Sequence, residues 1–451
     1  MVNLLALAGG LLAADANSSL EDSLFAAEMS GDPVAVVTDS VRTSSAPATV
    51  PDRSGPGISG QVQTSSTSRV VRGDLPGQLD KYVGFYPGQE FETAGRVDLD
   101  APLPDRSRAH LTLELDYLAS TRTSTFSLRE AFVDAHLFDV LAVRAGKQVL
   151  QWSRCQLWTP ADLVNVEAPR FQARLGAREG ATGVRAHLPV GAQFNVYGFA
   201  DLGGVSQPSD IAAVGRVEFT LPRTEVGLTW RHKDGERDVP ALDFSTGLDR
   251  WQLAAEAAWL APGTLMEIVP MPSRGQGSGV ASIGIAPVER RAPQVSVSVS
   301  RPFDALGRTD RLRLGAEGFW NPEGESGNVF EDLEEVDFSR PVLLGRDTLW
   351  SGPRPALRVF GGGYRPYQLN RWYVMGWAML SDAFVSAGTL RASAIGNLGD
   401  GSWQGLLEWS WQSLHGLTAS FSASVPFGSY PGEFTWASDY ATLRADLGVG
   451  F

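Results

Sequence analysis

The sequence predicts an all-β fold, a transmembrane antiparallel β-barrel of about 18 strands with 16 as the alternative, behind a short N-terminal leader. Three observations carry this. Apolar residues recur at period two in many short segments across most of the 451 residues. After the N-terminus no apolar run reaches the 18 or so residues that a spanning helix needs. The chain closes on an amphipathic segment that ends in an aromatic residue, Phe451.

Residues 1–16, MVNLLALAGGLLAADA, read as a signal peptide, with an apolar core at Leu4 to Leu12 and a small-x-small site at Ala14 to Ala16. No Lys or Arg precedes Arg42, so a short buried helix is the other reading. Residues 17–56 read as a short amphipathic helix through Leu20, Leu24, Phe25 and Met29, then a Ser/Thr/Pro/Gly linker. The barrel is expected over residues 57–451. Within it Leu111, Leu113, Leu115 and Tyr117 alternate with Thr112, Glu114 and Asp116. Val217 and Phe219 alternate with Arg216 and Glu218, and Leu228 and Trp230 with Thr229 and Arg231. Short breaks at 189–191 and 221–223 read as tight hairpins, and long connections lie near 152–178, 261–290 and 322–354.

Two segments favour lipid outside over a soluble core. Trp251, Leu253, Ala255, Ala257 and Trp259 share one face, with the Trp roughly 26 Å apart at ~3.3 Å per residue, as two interfacial belts require. Trp403, Gly405, Leu407, Trp409 and Trp411 share another. The last strand sets Ala441, Leu443, Ala445, Leu447, Val449 and Phe451 against Thr442, Arg444, Asp446, Gly448 and Gly450. A last strand must pair with the first to abolish both edges. Its terminal aromatic resembles the signal read by the bacterial barrel-assembly machinery.

Composition limits the function classes. A formal net charge of −13 argues against nucleic acid as a partner. Cys155 is the sole cysteine, so no intramolecular disulfide forms. The five histidines are scattered and sit in no hydrolase motif, so neither catalytic residues, nor a cofactor, nor a metal site is expected.

The most informative stretch is 128–165. It holds LREAFVDAHLF, then RAGKQVLQW, then TPADLVN. These segments resemble a family of bacterial outer-membrane porin-like proteins that includes alginate-export-type channels. Leu128, Arg129, Glu130, Ala131, Phe132, Val133, Arg144, Gly146, Lys147, Gln148, Trp152, Pro160, Asp162 and Asn165 match its pattern. Ser153 stands where Gly is usual and Val166 where Pro is usual. The resemblance implies an outer-membrane channel for passive passage of small hydrophilic solutes or for export of a polyanionic polymer. A non-conducting surface or adhesion barrel, or a soluble β-sheet binding protein, is the alternative. Lipid, lipopolysaccharide and the solute would then be the partners.

On the strand 141–149, Arg144 and Gln148 share the polar face, and Glu130 on the neighbouring strand is within pairing reach of Arg144. Two readings stand open: a charged constriction that filters solutes, or an ion pair that braces the wall. Arg129, Asp162, Arg216, Arg231 and Glu218 complete the lumen candidates. The loop 152–165 either folds inward, with Pro160 and Asp162 fixing a turn, or packs on the rim.

Overall fold

A computed structural model of the chain describes residues 56–71, 88–104, 107–138, 140–150, 152–164, 180–191, 193–260, 266–271, 282–287, 292–331, 337–344, 347–351, 367–413, 416–436 and 439–451. The expected leader, and the segment 17–56 apart from its last residue, lie outside these. In chain order the strands are β1 Gly57–Val71, β2 Gly88–Pro102, β3 Arg108–Leu118, β4 Thr123–Leu137, β5 Leu141–Gln148, β6 Ala181–Val190, β7 Phe194–Asp201, β8 Ala212–Leu221, β9 Thr224–Lys233, β10 Val239–Leu248 and β11 Trp251–Leu260. They continue with β12 Met266–Met271, β13 Ser282–Pro287, β14 Ala292–Ala305, β15 Arg308–Trp320, β16 Asp337–Leu344, β17 Asp347–Ser351, β18 Trp372–Ser381, β19 Gly388–Asn397, β20 Ser402–Gln412, β21 Leu417–Gly428 and β22 Asp439–Gly450.

Eighteen of these strands form one antiparallel sheet. The hairpins β12–β13 and β16–β17 pair only within themselves. This resolves the strand count. Residues 337–344 do form a strand, but it belongs to a separate hairpin inside a long connection. The segment 241–247 is the centre of a full wall strand.

The sheet closes where β22 pairs with β1, in a register that sets Val62 opposite Val449 and Thr64 opposite Leu447. Gly60 and Phe451 exchange backbone hydrogen bonds of 3.0 and 2.9 Å at the seam. Gly60 is required there, because a Cβ would stand 2.5 Å from the Phe451 ring.

The faces are those of a barrel in lipid. Leu115, Val133, Val217, Leu228, Leu242, Val297, Leu407, Phe421 and Leu447 are exposed on the outside. Gln63, Glu92, Glu114, Arg216, Asp243, Glu256, Glu317, Gln404 and Asp446 are buried on the inside. A soluble two-sheet protein would bury the first set, so that alternative is set aside. Trp251 and Trp259 both face outward, near opposite ends of β11, and the Arg301 guanidinium lies 5.1 Å from the Trp251 ring centre.

The two ends of the barrel differ. At one end the connections are short, with two-residue turns at 222–223, 249–250 and 306–307, and both β1 and β22 reach that end. The other end carries the long connections 149–180, 261–291 and 321–371. An even strand number is what brings the first and last strands to one side.

Candidate functional site

The described part of the connection after β5 turns into the barrel. Its residues 152–164 fold into the lumen against the arc of wall from β8 to β18, held by two carboxylates. Glu256 on β11 accepts N–H bonds from Arg154, from Cys155 at 2.7 Å and from Ala161 at 3.1 Å. Glu317 on β15 accepts them from Gln156 at 2.8 Å, Leu157 at 3.1 Å and Trp158 at 2.8 Å. A run of backbone donors with no strand partner is thereby satisfied by side chains of the wall.

The Arg154 side chain adds a second hold. Its guanidinium reaches Glu218 at 2.7 Å, Glu225 at 2.6 Å and Asp243 at 3.2 Å. Arg216 sits below it, 1% exposed, bonded to Glu218 at 3.0 Å, Thr229 at 3.0 Å and both oxygens of Asp243. Gly227 leaves room for this, because a Cβ there would meet the Arg216 guanidinium at 2.3 Å. Two arginines and three carboxylates thus share one desolvated cluster. Such a cluster holds only while every member keeps its partners.

Trp158 fastens the middle of the loop. It stacks on Phe319 with centroids 5.4 Å apart and planes 3° from parallel, and its indole N–H donates to the Tyr367 carbonyl at 2.9 Å. Around it lie Leu157, Tyr373, Met375, Trp377, Ile395 and Phe434, an apolar cluster inside the barrel. The long-loop end interlocks above this cluster. Glu433 accepts from the Tyr373 hydroxyl at 2.6 Å, Asn397 Nδ2 at 2.8 Å and Tyr367 N–H at 2.9 Å.

The opposite arc, from β20 through β22 and β1 to β5, carries a second set of charges, whose arginines keep more exposure than Arg154 and Arg216. Arg444 pairs with Asp446 at 2.8 Å and Glu92 at 3.5 Å, Arg96 with Asp98 at 3.2 Å, and Arg129 with Glu114 at 2.7 Å. Arg144 pairs with Asp134 at 2.6 and 3.0 Å and lies 3.8 Å from the Phe132 ring centre.

The expected Arg144–Glu130 pair is therefore corrected. The β4–β5 register sets Asp134 directly opposite Arg144, and Glu130 instead accepts the Val149 N–H at 3.0 Å. A register shift in the β3–β4 pairing skips Arg129. This bulge turns Arg129 and Glu130 both inward, which strict alternation forbids. Gln148 is fully buried and bonds backbone carbonyls of Arg144 and Gly183 at 3.4 and 3.5 Å. Asp162 lies in the inward loop, its N–H closing a turn on Thr159 O at 3.0 Å. Arg231 stands apart, near the long-loop end of β9, paired with Glu236 at 2.8 Å. Arg154, Glu225, Asp243 and Glu256 hold the loop and were not among the sequence candidates. The one sequence signal was a carboxylate alone among small apolar residues, as Glu256 is in WQLAAEAAWL.

Solved structures share this architecture. OccK11 of Pseudomonas aeruginosa aligns at TM-score 0.50 and 10% identity, over 88% of this chain and 96% of its own. OccK5 of the same organism aligns at 0.50 and 9%, over 88% and 98%. OccK2, solved in complex with glucuronate, aligns at 0.50 and 10%, over 88% and 98%. The chain has the fold of the bacterial outer-membrane porins. No protein-family model matches the sequence, and no curated protein matches it. At these identities the likeness is one of fold.

Proposed function

We propose that this barrel is a passive outer-membrane channel for small hydrophilic solutes, its short-turn end in the periplasm and its long loops outside the cell. The observation that carries this is a hydrophilic interior that the described residues narrow from one side. The inward loop fills the arc from β8 to β18, and the paired charges of β22, β1 and β2 to β5 line the side left over. A passage lined by both signs selects by width and local field, and needs no covalent chemistry and no cofactor. The clamped loop favours small solutes over export of a polyanionic polymer, which would need a wider bore. Glucuronate, the ligand in the OccK2 complex, is a small hydrophilic acid of the size such a passage suits. Arg144 and Arg129 are the wall arginines we assign to the path. Lipid and lipopolysaccharide surround the outside, and the strand that closes at the exposed Phe451 is the segment we assign to the assembly machinery.

Planar-bilayer recording of the purified chain tests this. Discrete conductance steps are expected. Arg144→Ala leaves Asp134 facing the path without its strongest partner, so the reversal potential in a salt gradient moves toward cation preference. A barrel that shows the heat-shifted gel migration of a folded porin and yet conducts nothing would overturn the channel reading in favour of a surface barrel.

A further inference from the structure

The periplasmic tips of three hairpins are built against backbone preference. Phe138 in the β4–β5 turn has φ 53°, Leu306 in the β14–β15 turn φ 51°, and Phe384 in the β18–β19 connection φ 66°. This left-handed region suits Gly, Asn and Asp, and bulky side chains enter it at a cost. Other turns at the same end follow the preference, with Gly191 at φ 66° and Asp249 at φ 54°. The three apolar residues gain nothing from packing inside the protein, since they are 91%, 74% and 82% exposed. Leu248 and Val385, at the same end, are also exposed, at 55% and 45%.

We infer that these tips are lipid anchors, which insert Phe138, Leu306 and Phe384 into the headgroup zone of the inner phospholipid leaflet and fix the depth of the barrel. The inference rests on the membrane reading above. Two observations favour phospholipid over a periplasmic protein as the occupant. The tips lie on two well-separated parts of the ring, with β4–β5 far around the barrel from the neighbouring hairpins β14–β15 and β18–β19. A lipid annulus reaches every part of a circumference, whereas a docked protein covers one patch. The tips also stand beside interfacial chemistry. Arg250 pairs with Asp304 at 2.6 Å and with Asp310, and Arg308 pairs with Asp382 at 2.5 Å. Just above, Arg301 lies 5.1 Å from the ring centres of both Trp251 and Phe303. Alternating arginines, aromatics and aliphatic tips match the polarity gradient of a headgroup layer.

The test uses the full chain in phospholipid vesicles, with the single thiol removed by Cys155→Ala. Phe138→Cys, Leu306→Cys and Phe384→Cys are each labelled with a polarity-sensitive fluorophore, with Asp234→Cys at the opposite end as the water-exposed reference. Labels at the three tips should emit to the blue of the reference. Lipids spin-labelled near the headgroup should quench them at least about twofold more, and iodide on both sides should quench them less. Tips quenched by iodide as strongly as position 234, and untouched by the lipid quencher, would overturn the anchor and leave the tips to a protein partner. Conductance and heat-shifted migration are read on the same vesicles. Lipid-quenched tips on a folded but silent barrel would sink the channel proposal alone.

Discussion

Replacing Glu317 by alanine removes the acceptor of three backbone N–H groups, those of Gln156, Leu157 and Trp158. Each such bond to a charged acceptor contributes about 1.5 kcal/mol at the low end, so the three together hold the loop by about 4.5 kcal/mol. The barrel wall does not depend on them, because every ladder bond of β14, β15 and β18 stays in place. The loss is therefore local, and it raises the open population of the loop by roughly three decades at about 1.4 kcal/mol per decade. Cys155 makes this measurable. It is a free cysteine, 6% exposed, immediately before Gln156, and its backbone N–H is held by Glu256. Maleimide labelling of the folded protein should be slow in the parent and up to about a thousandfold faster in Glu317→Ala, when reclosing outruns labelling. Single-channel conductance should rise in the same variant. Unchanged labelling and unchanged conductance would show that Glu317 does not hold the loop.

Three further outcomes follow from the same geometry. Trp158→Ala removes the stack on Phe319 and the bond to Tyr367 O, and a buried aromatic of this kind costs about 3 kcal/mol or more; conductance should rise and heat-shifted migration should be kept. Arg129→Ala leaves the buried Glu114 without its 2.7 Å partner, at a cost of about 3 kcal/mol, read as a lower urea midpoint for barrel unfolding. Burial lifts the Glu433 carboxyl to about 7, with Asp400 adding to the rise, against the pull of Tyr373, Tyr367 N–H and Asn397. The closed loop thus binds this proton more tightly than an opened loop would. That stabilisation is complete below the ordinary 4.5 and is lost as pH rises through about 7, a difference of about 3 kcal/mol. Hydrogen exchange at Tyr367 and Phe434 should quicken between pH 5 and 8 beyond its intrinsic rise, and Glu433→Gln should flatten that dependence.

The wall was legible because lipid outside and water inside impose period two on every strand. The Trp251 to Trp259 face and the closing strand to Phe451 needed only that rule. Partners within the wall were not legible, since they depend on register. One bulged residue, Arg129, brings Arg129 and Glu130 both to the lumen, and the β4–β5 register set at the turn 138–140 puts Asp134, not Glu130, opposite Arg144. The loop clamp was less legible still. Arg154 meets Glu256 and Asp243 across 102 and 89 residues, and no local pattern encodes such a meeting. The resemblance covers 128–165, and the structure adds what grips residues 152–164 of that stretch.

A clamp of charges, rather than a greasy contact alone, has a physical reason. Residues 152–164 are irregular backbone inside a membrane barrel, so their N–H groups find no ladder to join. Non-helical backbone at this depth persists only where protein or lumen water satisfies it. An inner wall made of period-two strands can supply acceptors at fixed heights, one every second residue. Glu256 and Glu317 use two such positions to satisfy six donors between them. The carboxylates would be costly alone, and their arginines and backbone donors offset that cost. The inside of this barrel thus carries a clamped loop on one arc and paired charges on the other. The aromatic stack of Trp158 on Phe319 fixes the middle of that loop against β15, so a variant that widens the bore should first loosen that stack.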